Sequence, residues 1–267
     1  MPDSLRGQKK NMDWVTTASG FLVGLLVGAT GVGGGSLMTP LLVLLMGVAP
    51  ATAVGTDLLY ASITKVGGAW AHGRRRNIDW QICGWLALGS LPAAGVTLAI
   101  LASLSVDPNH YASVLKQCLG VALILSAIAL LLRDRLHEFA LKRSAGVPTQ
   151  RSPVATVVTG AVVGALVTAT SVGAGALGVA ALLFLYPSLA ATRIVGTDIA
   201  HAVPLTLVAG LGHASLGGVD LHLLGNLLVG SLPGVYVGSH LSRALPERAL
   251  RLLLASVLIL VASRLVM

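Results

Sequence analysis

From Val154 to Thr192 the chain carries no Lys, Arg, Asp or Glu, and from Trp80 to Val106 it carries none either. An apolar run beyond about 18 residues is long enough to cross a bilayer. A soluble domain, in which about 25% of residues are charged, has no interior that could hide two such runs. Here charged residues make up 10% and apolar residues 55% of the chain, and the mean hydropathy is +0.84. The sequence therefore reads as all-α, a polytopic helical membrane protein.

The net charge of +8 fits that class better than nucleic-acid binding. The basic residues stand in the connections between apolar runs, which is the pattern of cytoplasmic loops. Arg6, Lys9 and Lys10 precede the first apolar run with no small-residue cleavage site after it, so it is read as an uncleaved span. Cys83 and Cys118 fall in separate spans without metal-ligand spacing and read as packing residues. Neither a metal nor a cofactor is expected.

Glycines interrupt the apolar sequence at two matching places. The first is Gly28-Ala-Thr30-Gly-Val-Gly33-Gly34-Gly35-Ser36-Leu-Met-Thr39-Pro40, and the second is Thr168-Ala-Thr170-Ser171-Val-Gly173-Ala-Gly175-Ala-Leu177. Glycine costs a helix interior roughly 1 kcal/mol relative to alanine, so each cluster should unwind the helix. Unwound backbone at membrane depth is tolerated only where protein or a watery cavity satisfies it. The half-helix after the first break, Ser36 to Gly47, would span only about 18 Å of a hydrocarbon core about 30 Å thick. It thus predicts a re-entrant or discontinuous helix.

The order of elements repeats. Spans are predicted at 51–72, 80–104 and 111–132, and again at 191–213, 221–241 and 250–266. Val54-Gly55-Thr56-Asp57 answers Val195-Gly196-Thr197-Asp198, and His72 answers His213. Asp79 answers Asp220, and Gly89-Ser90-Leu91-Pro92 answers Gly230-Ser231-Leu232-Pro233. The organisation that follows is an N-terminal tail 1–13, a first transmembrane repeat 14–132, a cytoplasmic linker 133–152 and a second repeat 153–267. Arginines place the 74–76 loop, the linker and the 243–251 connection inside, whereas the loops at 105–110 and 214–218 lack Lys and Arg and face out. Equivalent loops then lie on opposite sides, so the two homologous repeats are inverted. Lys9 and Lys10 argue against the external N-terminus that this requires, and an even number of crossings per half would instead make the repeats parallel.

Paired Gly-broken segments in two halves point to a transporter binding site. The candidate substrate-binding residues are Lys65, Thr30, Gly33, Gly34, Gly35, Ser36, Thr170, Ser171, Gly173 and Gly175. Unwound N–H groups and the positive end of each following half-helix suit an anion, and the threonines and serines add hydroxyl donors. Lys65 stands about ten residues from either end of its span, too deep to snorkel, and costs about 2.5–3.5 kcal/mol there on insertion scales. Its counterpart is the neutral Thr206. Asp57 and Asp198 read either as cap-like carboxylates or, with His201 one turn from Asp198, as groups for gating or proton coupling.

The Gly-rich break, the Gly-Thr-Asp helix, the His before a turn into Asp79-Trp80 and the Gly-Ser-Leu-Pro span together resemble the sulfite exporter TauE/SafE family. The resemblance covers nearly the whole chain, although the second copy has Ala174 for Gly34 and Asp220-Leu221 for Asp79-Trp80. It implies a multi-pass transporter of the bacterial inner membrane that exports a small sulfur-containing anion, sulfite or an organosulfonate. Partners expected are that anion, the lipid bilayer and, as an open alternative, further copies of the chain, but no nucleic acid. The competing reading is an intramembrane hydrolase with Asp57 and Asp198 as an acid dyad. Its aspartyl signature has Gly directly before Asp, whereas Thr56 and Thr197 intervene here. An enzyme is not expected.

Overall fold

The computed structural model describes residues 3–30, 35–104, 108–144, 152–241 and 247–266. They form ten helices in the order α1 (Asp3–Thr30), α2 (Gly35–Leu45), α3 (Pro50–Arg74), α4 (Trp80–Leu104), α5 (Pro108–Ser144), α6 (Pro153–Thr170), α7 (Ala176–Leu185), α8 (Ala191–Ser215), α9 (Leu221–Leu241) and α10 (Glu247–Val266). The described residues contain no strand. Stretches long and apolar enough to cross a bilayer lie in α4, α5, α6, α8 and α9. The helix α3 matches α4 at 25 residues but carries Asp57, Lys65 and His72, which dilute its hydropathy. At 11 and 10 residues, α2 and α7 span only about 15 Å each.

Local chemistry explains the starts. Pro50 and Pro153 stand in the first helical turn, where a missing N–H costs nothing, and Ser152 accepts a hydrogen bond from Ala155 N. Asp79 Oδ1 accepts from Ile82 N to cap α4, and Asp220 Oδ1 accepts from His222 N and Leu223 N to cap α9. Two helices exceed the predicted spans. The helix α5 continues past residue 132 to Ser144 and α1 begins at Asp3, so parts of the expected linker and tail are helical. The sequence from Arg133 to Ser144 is Leu, Arg, Lys, Glu and Ala for the most part, good helix formers with no Gly or Pro to stop them.

The halves interlock. The first helix of each packs on the fourth helix of the other, α1 on α9 and α6 on α4, and α3 packs on α8. Gly20 lies against Leu227 and Gly24 against Ser231, while Gly160 lies against Leu86 and Gly164 against Ser90. In both interfaces the numbers rise together, so both pairs run parallel, and the registers are copies of one another. The helices touch through backbone that leaves no room for a Cβ, the small-residue packing of membrane interfaces. The helices α3 and α8 run antiparallel, because Leu59 meets Gly210, Ser62 Oγ donates to Val203 O, and Gly68 meets Ile199. Outward-facing Leu88, Val96, Val121, Val158, Leu232 and Leu260 are all more than half exposed, an apolar surface that calls for lipid.

Candidate functional site

The helix α6 ends at Thr170, and the chain then turns through positive φ three times, at Ser171 (59°), Gly173 (112°) and Gly175 (124°). The last two lie where an L side chain is strained, which is why the break needs its glycines. Side chains and carbonyls hold it in shape. Thr170 Oγ1 accepts from Val172 N, and Gly173 O accepts from both Leu177 N and Gly178 N. No hydrogen bond from the N–H groups of Gly173, Ala174, Gly175 or Ala176 is found among the described residues. All four residues are buried, and they lead into the N-terminus of α7.

Lys65 reaches this break from α3. Its Nζ donates to Ala174 O at 3.0 Å, the residue is 6% exposed, and no carboxylate among the described residues lies within ion-pairing distance. Asp57 and Asp198 are its electrostatic neighbours. Asp57 Oδ2 accepts from Thr39 N (3.1 Å) and Thr39 Oγ1 (2.6 Å) in α2, and Ser171 adjoins it. Asp198 takes the corresponding place beside α7, with one carboxylate oxygen filling the space a Cβ on Gly178 would need. One oxygen of each acid, Asp57 Oδ1 and Asp198 Oδ2, is buried without a hydrogen bond among the described residues. His201 Nε2 and Ser90 Oγ share a hydrogen bond of 2.7 Å, and Tyr60, its counterpart in α3, adjoins Ser231. A cation, two carboxylates, an imidazole and several N–H groups thus meet in one buried cluster.

The Gly-Thr-Asp motif divides its labour among three contacts. Gly55 admits the turn at Gly218, and Gly196 admits the turn at Asn77. Thr56 Oγ1 accepts from Asp220 N (3.1 Å), and Thr197 Oγ1 accepts from Asp79 N (2.9 Å). Asp57 then holds α2 through Thr39, whereas Asp198 lies against Gly178 of α7. Each motif therefore ties one half to the first turn of the fourth helix in the other. Only one of the two latches carries an ion pair among the described residues, Arg193 to Asp79 at 3.3 Å.

Of the residues expected to bind substrate, Lys65, Thr170, Ser171, Gly173 and Gly175 come together here. Gly33 and Gly34 lie outside the described residues, and of Thr30, Gly35 and Ser36 only the helical backbone is described. Asp57 and Asp198 adjoin the same cluster with His201. Asp57 accepts from Thr39 N near the start of α2, so it serves an N–H group where the chain re-enters helix, and no such bond to Asp198 is found among the described residues. No hydrogen bond joins the two acids among the described residues, which the dyad arrangement would need. His213, in the last turn of α8, is fully buried with Nε2 donating to Thr168 O at 2.9 Å. Sequence reasoning missed Ser90 and the Ala174 carbonyl. The Gly-Ser-Leu-Pro repeat carried a signal for the serine, as the one hydroxyl in an otherwise apolar match, whereas a carbonyl leaves none.

An all-helical chain with several apolar spans and a polar cluster at its centre is a multi-pass membrane protein. The family model described as "Sulfite exporter TauE/SafE" matches residues 16–265, and the chain belongs to that family of membrane transporters. It is similar to "Probable membrane transporter protein YjnA" of Bacillus subtilis (strain 168), 42% identical over 248 residues that cover 92% of this chain and 97% of that protein. It is also similar to "Probable membrane transporter protein YdhB" of the same organism, 32% identical over 241 residues covering 86% and 91%. No solved structure matches it.

Proposed function

We propose that the chain is a secondary transporter of the bacterial inner membrane, exporting a small sulfur-containing oxyanion such as sulfite or an organosulfonate through a site between two inverted repeats. One observation carries this reading: the hydrogen bond of Lys65 to the Ala174 carbonyl, beside four N–H groups without partners among the described residues. An ionisable side chain deep in a membrane protein marks a substrate or ion pathway by default, and no carboxylate among the described residues lies within ion-pairing distance of this one. Here the cation is held at the start of a half-helix, where the dipole is also positive, and that is an anion site.

The packing supports the inverted, re-entrant arrangement. Gly178 in α7 sits beside Asp198 in α8, so the short helix returns toward the side on which α8 begins. The hairpin of α6 and α7 then enters and leaves by one face, and α8, α9 and α10 cross. Three crossings per half put equivalent helices on opposite courses, in keeping with the antiparallel pairing of α3 and α8. The same scheme collects the 74–76 loop and the C-terminal ends of α5 and α9 on one side, where the arginines of the sequence near them favour the cytoplasm.

Purified protein in vesicles, screened for counterflow of sulfite, sulfate, thiosulfate and methanesulfonate, tests the proposal. Saturable flux of sulfite or methanesulfonate, reduced in Lys65→Met, is the expected result. Flux equal to that of protein-free vesicles for all four refutes it.

A further inference from the structure

We propose that each monovalent anion crosses with one proton, and that Asp198 carries it. This rests on the anion-site reading and extends it to the coupling ion. The argument begins with charge. Lys65, Asp57 and Asp198 share one buried cluster, in which Lys65 contributes one positive charge and the ionised acids two negative ones. A bound monoanion raises that excess by one. In a medium of low dielectric an unbalanced charge is heavily penalised. A proton taken up with the anion leaves the loaded site with the same net charge as the empty one, so the two can exchange across the membrane at similar cost.

Geometry chooses the carrier. Asp57 has two donors from Thr39, N–H and hydroxyl, to hold a negative charge. The corresponding residue of α7 is Val179, which brings no hydroxyl, and no hydrogen bond to either carboxylate oxygen of Asp198 is found among the described residues. Asp198 also touches Gly178 in the first turn of α7, the helix whose N-terminal N–H groups would meet the anion. Proton and anion therefore act on one short helix from adjacent places.

Few charged or titratable groups face Asp198. The helices α6 and α7 bring no titratable side chain. From α3 comes Lys65, and from α4 comes Cys83. On α8 itself, His201 is held by Ser90 and Arg193 is paired with Asp79.

Methanesulfonate is the probe, since it is a monoanion at every working pH and brings no proton of its own. Vesicles containing the protein and a trapped pH dye receive it from outside at a clamped membrane potential. The lumen should acidify by one proton per anion taken up, at a rate unmoved by the potential. In wild-type protein the affinity should fall about tenfold per pH unit in the alkaline range, as reciprocal linkage requires. In Asp198→Asn it should be flat with pH, and proton movement should be lost. Asp198→Glu keeps a carboxyl in a changed place, so its pH profile should be displaced. Anion flux without acidification overturns the coupling alone. Coupling that persists in Asp198→Asn, or an unmoved profile in Asp198→Glu, overturns the assignment to Asp198. Absence of wild-type flux overturns the anion site and this inference together.

Discussion

Lys65→Met removes the ammonium while keeping the length of the stem, and two opposed effects on stability can be worked from the contacts. Losing a charge deep in the membrane returns about 2.5–3.5 kcal/mol on insertion scales. The carbonyl of Ala174 loses its 3.0 Å donor, and a buried acceptor left without a partner costs about 1–3 kcal/mol. The variant should therefore lie between about 0.5 kcal/mol less stable and about 2.5 kcal/mol more stable than the parent. Binding should move the other way. One hydrogen bond between charged groups contributes about 1.5–3 kcal/mol, so anion affinity should drop about 10- to 150-fold. Calorimetric titration of sulfite and methanesulfonate into detergent-solubilised protein, alongside a thermal melt, reads both quantities. A folded variant with undiminished affinity leaves the lysine a structural role and refutes the reasoning.

Three further outcomes follow from the geometry. Gly175→Ala forces a side chain onto a φ of 124°, at a cost of about 1–3 kcal/mol, so its melting temperature should fall, and an unchanged melt contradicts the strain. Thr56→Val and Thr197→Val each strip an N-terminal N–H of a fourth helix of its acceptor and should each lose about 1 kcal/mol. Their double variant should lose the sum, whereas no loss in either denies the latch. In a chain with Cys83 and Cys118 replaced by alanine, Leu216→Cys should react with an impermeant maleimide added outside intact cells, and Arg75→Cys only after permeabilisation. Equal labelling of the two would exclude opposite sides for these turns.

The second break was legible because glycine clusters inside apolar runs have one physical consequence, loss of helix, and it falls where Gly173 and Gly175 stand. Helix boundaries in the spans were equally plain, with α4 starting at Trp80 and ending at Leu104 as read. The extension of α5 was less so, because charged residues signal the end of a span and say nothing about the end of a helix. The partners of Asp57 were hidden for another reason. Helical spacing tells which residues share a face, but Thr39 and Ser171 reach Asp57 from two other elements, and only packing brings them there. The same holds for Ser90 and His201, which are 111 positions apart.

The duplicated residues and the unique ones do different work. Every contact that appears in both halves fastens the scaffold: the glycine registers of α1 on α9 and α6 on α4, the two threonine latches, and the aspartate caps of α4 and α9. Chemistry enters where the copies part. Lys65 faces a break while Thr206 donates back to Ala202 O in its own helix, Thr39 secures one acid while Val179 leaves the other bare, and His201 stands where Tyr60 does. On the proposed inverted arrangement, a symmetric frame would let the two halves exchange roles across the membrane at little cost, and a charge placed on one half alone would give that exchange something to carry. If the frame and the charge are separable in this way, restoring symmetry with Thr206→Lys should add a second cation without displacing a latch. Such a protein should fold and bind anion more tightly, yet turn over more slowly, because an anion held from both halves leaves neither readily. Faster counterflow from a folded Thr206→Lys protein would show that a single cation is not what the cycle depends on.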